Sequence, residues 1–495
     1  MALKDETGSN QTESDGTDAA ASRRAFLRGA GSLAVAGAVC PFSGARATSA
    51  PLPRPAELAK GITPDSRGPS RSIVEAFDGP HQGGILTPLQ NHTCFVVFDL
   101  VTEDGPSVVR LLKLWTEAAR RLSRGQTVAS LDGNPDKPPA DSGDAVGLGP
   151  ARLTLTFGFG SGLFEKDGHD RYGLRARRPA ELIDLPHFNG DQLVPGNTGG
   201  DLSIQACADD PQVAFHAVRQ LARIADGTAQ LRWIQNGYNA QFAAEDTPRN
   251  LMGFKDGTQN PISTRPDQVH AVAGGKSFRP GTADDVVWVG SEGPDWMRGG
   301  SYVVARRIRM FLEHWDRTDL SFQEEVFGRR KQSGAPLTGK SEFDPIDLDA
   351  VDKDGNPIIA ENAHVRLASA AANGGAEILR RSYSYNDGLS FVAERWPPWR
   401  QGLQYDAGLF FMCYQRDPRA GFVHIYDKMS KLDLLNQYAT HVGSGLFACP
   451  PGTGTAPGSF IGEALFKNVS LKSVAGTSDA SPAPGTSGAG KPASY

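Results

Sequence analysis

Three short segments hold residue types that could act together in a reaction. They are GFKDGTQNP at residues 253–261, AHVRLA at 363–368 and ILRRSY at 378–383. A carboxylate can accept and return a proton, a neutral imidazole can bind a metal ion, and a guanidinium can stabilise developing negative charge. Each signal is weak alone, because an Asp-Gly pair is typical of turns, paired arginines are commonly solvated, and His364 is one of 10 histidines.

The longer strings are far more specific than their single residues. Residues 253–261 resemble, almost letter for letter, the distal motif of the dye-decolourising (DyP-type) haem peroxidases. FDGPHQGGILTP at 77–88 and GGSYVV at 299–304, followed by RRIR at 306–309, are similar to the exported, deferrochelatase-type branch of that family. The resemblance covers about residues 70–465.

This resemblance implies a role for each segment around a haem group. It makes His364 the proximal ligand of the iron, with its other ring nitrogen donating to an acceptor. It makes Asp256 the distal acid–base group and Arg380 the distal cation, which also contributes to cofactor binding. The residues expected along the haem edge are Gly257, Thr258 and Gln259.

The resemblance selects Arg380 rather than Arg381 as the distal arginine. Because side chains alternate along a strand, Arg381 is expected on the opposite face, where a change should matter little. Other branches of the family carry asparagine two places beyond the arginine, whereas this chain has Ser382, so that role is not transferred. His424 and His441 are the next candidates for the iron ligand, on or near a predicted helix.

Hydrophobic periodicity predicts one structural unit used twice. The first half is predicted to hold strands at 94–101, 153–159, 202–206 and 231–238 and helices at 108–122 and 211–225. The second half is predicted to hold strands at 302–312 and 409–414 and helices at 322–327 and 422–438.

A local echo supports the duplication. Cys207, followed by an Asp-Pro pair at 210–211, resembles Cys413, followed by an Asp-Pro pair at 417–418. Two such units imply an α+β fold of duplicated ferredoxin-like domains, each an antiparallel sheet with helices packed on it. The family resemblance agrees and adds the DyP-type dimeric α+β barrel-like arrangement.

The chain is predicted to have five parts. They are a twin-arginine signal peptide at 1–47, an N-terminal segment at 48–75, ferredoxin-like domain 1 at 76–260, the haem-binding ferredoxin-like domain 2 at 261–465, and a disordered Gly/Ser/Ala/Pro-rich tail at 466–495.

The N-terminus is predicted to be an export address. SRRAFLR at 22–28 is a twin-arginine pattern, which a mildly apolar run and a small-x-small cleavage site at 45–47 follow. The chain is therefore expected to leave the cytoplasm folded, for the periplasm or the extracellular space, through the twin-arginine machinery. A net charge of -5 argues against a nucleic-acid partner. No apolar stretch is long enough to predict a membrane span.

Three functions from different classes remain open at this level. The first is a haem b peroxidase that reduces hydrogen peroxide and oxidises aromatic or dye-like substrates, with one non-covalent haem per chain. The second is a deferrochelatase-type protein that binds haem and handles its iron. The third is a non-catalytic binding module that kept the fold. A homodimer is left open as the assembly.

Overall fold

The computed structural model describes residues 69–131, 133–240, 247–261, 270–272, 276–278, 283–393 and 401–473. The predicted signal peptide, most of the segment at 48–75 and most of the C-terminal tail lie outside these ranges. None of the described helices combines the length and the apolar character needed to cross a bilayer.

The first half contains the predicted strands and helices in the predicted order. They are β1 (His92–Leu100), α1 (Gly105–Leu122), β2 (Thr154–Phe159), β3 (Leu202–Ala208), α2 (Pro211–Ile224) and β4 (Ala229–Tyr238). Asp210 begins α2 as expected, because its side chain accepts from the backbone N–H groups of Gln212 and Val213. Proline follows at the first helical position, where its missing N–H costs no hydrogen bond.

The second half repeats this order with connections of different lengths. A hairpin and a short helix come first: β5 (His270–Val272), β6 (Lys276–Phe278) and α3 (Ala283–Val287). The repeated unit then contains β7 (Ser301–Met310), α4 (Leu312–Trp315), α5 (Leu320–Phe327), α6 (His364–Ala368), β8 (Leu379–Arg380), β9 (Tyr383–Ala393), β10 (Gln401–Gln415), α7 (His424–Leu432) and β11 (Ala439–Cys449). A last short helix is α8 (Glu463–Phe466).

The strand order confirms the duplication. The first unit is ordered β2-β3-β1-β4 and the second β9-β10-β7-β11, so corresponding strands occupy corresponding places. Cys207 lies in β3 and Cys413 in β10, which are the equivalent third strands of the two units.

The two units share one sheet, whereas the repeat alone predicted two separate sheets. β11 bridges to β2 through Ala448 and Phe159, and β4 bridges to β9 through Tyr238 and Ser384. Because β7 also pairs with β10, these contacts close the eight long strands into a barrel. Few residue pairs join the two units at these bridges, and each unit keeps its own well-paired four-stranded sheet.

Closure gives every strand an inner and an outer face. Phe95 and Val97 of β1 belong to the interior cluster with Phe410 of β10, whereas Val96 and Phe98 pack outward against the helices. The period-two alternation of the strands thus builds two cores from one set of residues. The four described cysteines, at 94, 207, 413 and 449, are buried and unpaired.

The predicted helix at 422–438 is wrong in its second half. The helix α7 ends at Leu432, and Asp433 adopts an extended conformation before a short 3-10 turn at Leu434–Gln437. The Asp433 side chain accepts from the N–H of Leu435 and so caps that turn. The apolar spacing did not predict this break in the helix, because Leu432 and Leu435 keep helical positions on either side of it.

A buried charged cluster joins β7, β11 and α7 on the outer face of the barrel. The Arg306 guanidinium is paired with Asp191, donates from Nε to Nδ1 of His441 over 2.7 Å and donates to Ser444. Tyr426 of α7 contacts Nε2 of the same imidazole at 2.9 Å. Burial, together with the positive charge of Arg306, holds the pKa of His441 well below its ordinary value.

Removing the charge of Asp191 should destabilise the protein strongly. Both side chains of the Arg306–Asp191 pair have 0% exposure, so Asp191→Asn leaves an uncompensated buried cation at a cost of about 3–5 kcal/mol. Asp427→Asn breaks an exposed pair with Lys431 and should cost less than about 1 kcal/mol. Denaturant unfolding of both variants checks this, and equal losses would contradict it.

The stability of the folded state should also fall as the pH drops below the pKa that a histidine has in the unfolded chain. The folded state keeps His441 neutral while the unfolded chain binds a proton near pH ~6.5, so acid favours unfolding. His441→Gln retains an acceptor for Arg306 and should flatten the dependence by up to about 1.4 kcal/mol per pH unit. Unfolding free energies between pH 7 and 5 measure the slope. His424→Gln, at an exposed position, should keep the wild-type slope.

Candidate active site

His364 is the first residue of α6 and has an anionic partner. Its Nδ1 donates to Oδ2 of Asp433 over 2.7 Å, and the carboxylate is 3% exposed while the imidazole is 30% exposed. Burial disfavours the charged imidazole, but the charge of Asp433 and its hydrogen bond outweigh burial, so the pKa of His364 lies above its ordinary value. Nε2 is therefore the ring nitrogen left to bind a metal ion.

Asp433 is the functional residue that the sequence patterns missed. The required acceptor for the histidine was expected but not located, because 69 residues separate the two partners. The break in the helix after α7 brings the carboxylate to the imidazole. An aspartate directly after Leu432, between two apolar positions of the helical repeat, was the available signal, since aspartate favours caps over helix interiors.

A tight loop at residues 247–261 positions Asp256. The N–H of Asp256 donates to the carbonyl of Pro248 over 2.8 Å, and Arg249 forms an isolated bridge with Lys255. The side chain of Asn250 accepts from the N–H of Met252 and of Phe254. The carboxylate therefore projects from a loop that is hydrogen-bonded on both sides.

The side chain of Arg380 contacts Asp256, the residue with which it is expected to act. Its Nη1 lies 2.7 Å from Oδ1 of Asp256, although 124 residues separate them. The side chains are 25% and 19% exposed, so neither is sealed in the core. β8, which carries Arg380, pairs with β10 through Cys413 and Tyr414.

Arg381 faces the opposite way, as alternation predicts, but it is not the neutral position that was expected. It is buried inside the barrel, where it donates to the carbonyl of Thr87 and to the side chain of Gln90. Removing a buried, hydrogen-bonded guanidinium perturbs the fold, so Arg381 cannot serve as a silent control for Arg380.

The three residues after Asp256 have different surroundings. Gly257 has a φ of +129°, a conformation that favours glycine. The hydroxyl of Thr258 donates to Glu342 over 2.9 Å, and Lys255 pairs with the same carboxylate. Burial opposes ionisation of Glu342, but its bonds to Lys255 and Thr258 contribute to a pKa below the ordinary value. Gln259 is exposed.

The charges of the segments act on one another. The pKa of His364 is lowered by the positive charge of Arg380 and raised by Asp256, so the three groups are electrostatic neighbours. Burial lowers the pKa of Arg329 to about 10, with Glu342 opposing this change and the charge of Arg380 adding to it. The two guanidinium groups are therefore close enough to repel one another, and the carboxylates of Asp256 and Glu342 offset their charges.

The alternative histidines lie elsewhere. His441 is held by Arg306 and Tyr426 in the buried charged cluster, and His424 is exposed at the start of α7. Neither has the carboxylate partner that His364 has among the described contacts. The structure thus brings together His364, Asp256 and Arg380, with Asp433 added.

The chain resembles proteins of one family along most of its length. Family models described as Dyp-type peroxidase, N-terminal, and Dyp-type peroxidase, C-terminal, match residues 82–239 and 247–454. A dye-decolorizing peroxidase of Thermobifida fusca is 36% identical, covering 92% of this chain and 100% of that protein. A deferrochelatase of Escherichia coli K12 is 34% identical, covering 94% and 100%.

A solved structure agrees with these relatives. Ferric DtpA from Streptomyces lividans has 39% sequence identity and a TM-score of 0.68, covering 80% of this chain and 97% of that one. Barrel, site and relatives together define a peroxidase built from two ferredoxin-like units. The chain belongs to the Dyp-type peroxidase family.

Proposed function

We propose that this protein is a haem b peroxidase that reduces hydrogen peroxide and oxidises aromatic or dye-like compounds. The observation that carries the proposal is the meeting of two pairs, His364 with Asp433 and Asp256 with Arg380. The first pair is suited to bind iron and the second to move a proton beside a fixed positive charge. Family membership supports the same reading.

The donor set fits one non-covalent haem per chain. His364 offers Nε2 to the iron, because its Nδ1 is already committed to Asp433. Asp433 orients the imidazole and makes it a stronger electron donor to the metal. Asp256 and Arg380 would act on the peroxide in this proposal, and residues 257–259 would contribute to holding the haem. When bound, the haem supplies the two electrons that reduce peroxide.

The distal pair divides the work of breaking the peroxide O–O bond. Asp256 accepts the proton from one peroxide oxygen and returns it to the departing oxygen, so that the products are neutral. Arg380 stabilises the negative charge that develops on the departing oxygen before the proton arrives. The ion pair also keeps the carboxylate within reach of a bound peroxide. Neither residue is consumed, and the proton is conserved over the step.

A second function is supported by the relative that is named deferrochelatase. In that reading, the same pocket binds haem as the substrate and its iron is released. The two functions make opposite predictions for added hydrogen peroxide and a dye. A peroxidase bleaches the dye and keeps its iron, whereas an iron-releasing protein leaves the dye unchanged and transfers iron to a chelator.

The location of the protein belongs to the same proposal. The twin-arginine string at 22–28 supports export in the folded state, to the periplasm or the extracellular space. Folded export suits a protein that binds its cofactor before it crosses the membrane. Replacing Arg23 and Arg24, the adjacent arginines of that string, with lysine should retain the protein in the cytoplasm, which cell fractionation measures.

His364→Ala should abolish most haem binding. The iron loses its protein ligand, and the Asp433 carboxylate is left without its partner. Haem content per chain and the Soret absorbance should fall strongly, while the haem-free protein stays folded with a lower unfolding temperature, because the buried carboxylate has lost its cation. His424→Ala is the matched control, because His424 is exposed at the start of the neighbouring helix. Normal haem content in His364→Ala would overturn the assignment.

Asp256→Asn should slow the reaction with peroxide by about two to four orders of magnitude, because an amide cannot carry the proton. Arg380→Leu should slow it by about two to three orders of magnitude through loss of charge stabilisation. Stopped-flow absorbance after peroxide mixing, normalised to haem content, measures both rates. Asp427→Asn and Arg416→Leu, at exposed ion pairs, should keep the wild-type rate. Unchanged rates in the two site variants would contradict the proposal.

A further inference from the structure

The side chain of Asn260 forms two hydrogen bonds with the backbone of Arg380. Its Nδ2 donates to the carbonyl of Arg380 over 2.8 Å, and its Oδ1 accepts from the N–H of Arg380 over 3.1 Å. A primary amide has the donor and the acceptor of a peptide group in one plane. The side chain of Asn260 therefore bonds to this backbone in the way that the main chain of a neighbouring strand would. The contact joins positions that are 120 residues apart.

This edge of β8 has no other strand beside it among the described pairings. β8 contains two residues, and β10 lies on its other side. The N–H of Arg381 points to β10, where it donates to the carbonyl of Met412 over 2.8 Å. Because successive N–H groups alternate in direction, the N–H and carbonyl of Arg380 point away from β10 and would lose these partners without Asn260.

Asn260 is also tied to the turn that carries Asp256. Its own N–H donates to the carbonyl of Gly257 over 2.9 Å. One residue therefore holds the backbone next to Asp256 with its main chain and the backbone of Arg380 with its side chain. This short path, from Asp256 through Gly257 and Asn260 to Arg380, parallels the ion pair between the two side chains.

We propose that Asn260 is a positioning residue that sets the placement of the Arg380 guanidinium relative to Asp256. The inference rests on the proposed function, because it assigns Asn260 an effect on the peroxide step through Arg380. An ion pair alone leaves a flexible arginine free to follow the carboxylate. Fixing the backbone at both ends places the guanidinium where charge develops, and small misplacements of such groups are costly.

A double-mutant cycle with Asn260→Ala and Arg380→Leu tests this role in the haem-loaded protein. Two quantities are measured: the rate with peroxide and the affinity for fluoride, which the Soret spectrum reports without turnover. Asn260→Ala should lower both by about 10- to 100-fold. In the Arg380→Leu background, the same change should alter either quantity by less than about twofold, because the guanidinium that Asn260 positions is gone.

Asn239→Ala is the matched control for the loss of an amide contact. Asn239 donates from Nδ2 to the carbonyl of Ser382 over 3.1 Å, two residues beyond Arg380 on the same segment. This variant should keep the wild-type rate and fluoride affinity. Should Asn260→Ala fail to hold haem, Asn260→Ser takes its place, since it keeps a small neutral polar side chain that is too short to bond to both the N–H and the carbonyl of Arg380.

Two outcomes overturn the inference, and they differ from failure of the proposed function. If Asn260→Ala matches Asn239→Ala, or if its effect is equally large in the Arg380→Leu background, Asn260 does not act through Arg380. If Arg380→Leu itself leaves rate and fluoride affinity unchanged, the proposed function of the site fails instead. A strong effect of Asn260→Ala that disappears without Arg380 supports both proposals.

Discussion

The closed barrel imposes one constraint on every long strand. Of two adjacent residues, one must fit the interior of the barrel and the other must fit the outer face. Arg306 and Arg307 of β7 show this most clearly. Arg306 faces the helices and pairs with buried Asp191, whereas Arg307 faces inward and pairs with Asp387 and Asp406 at the end of the barrel. Arg380 and Arg381 divide in the same way, one toward the site and one into the interior. An adjacent pair of arginines thus serves two separate structures, and a shift of register by one residue would exchange them.

Much of this architecture follows from local patterns that sequence reasoning can use. The helical spacing of 108–122 depends on which side of the helix is buried, and the structure bears it out. The alternation of 153–159 predicted a strand with one buried face, whereas the strand found there is buried on both faces. The repeated order and the echo around Cys207 and Cys413 indicated the duplication, which the equal strand orders confirm. Long motifs brought His364, Asp256 and Arg380 forward as a set, and the structure places Asp256 and Arg380 in contact.

What the patterns missed are contacts between distant segments. Asp433 reads as one polar residue in a helical repeat, yet its carboxylate ends the helix, caps the next turn and accepts from His364. Arg381 reads as a solvated cation, yet the barrel closes around it. Likewise, the two units form one sheet rather than two because of two bridges, each of one residue pair. The hydrophobic periodicity of the sequence does not predict these bridges. Spacing along the chain predicts faces of elements, but it does not predict which face of another element they meet.

The duplication also explains why the histidine, its aspartate partner and the arginine of the proposed site come from the second unit. In the first unit, the connection from β1 to β2 carries α1, and α2 runs unbroken to Ile224. The buried His216 of α2 is bound by Asp144. In the second unit, the connection between β7 and β9 covers residues 311–382, against 101–153 in the first unit, and it carries α6 and β8, which provide the histidine and the arginine. The helix equivalent to α2 is interrupted after Leu432, and that interruption supplies Asp433. The two sheets are alike because both must close the barrel, whereas the connections were free to diverge, and the chemistry lies in the connections.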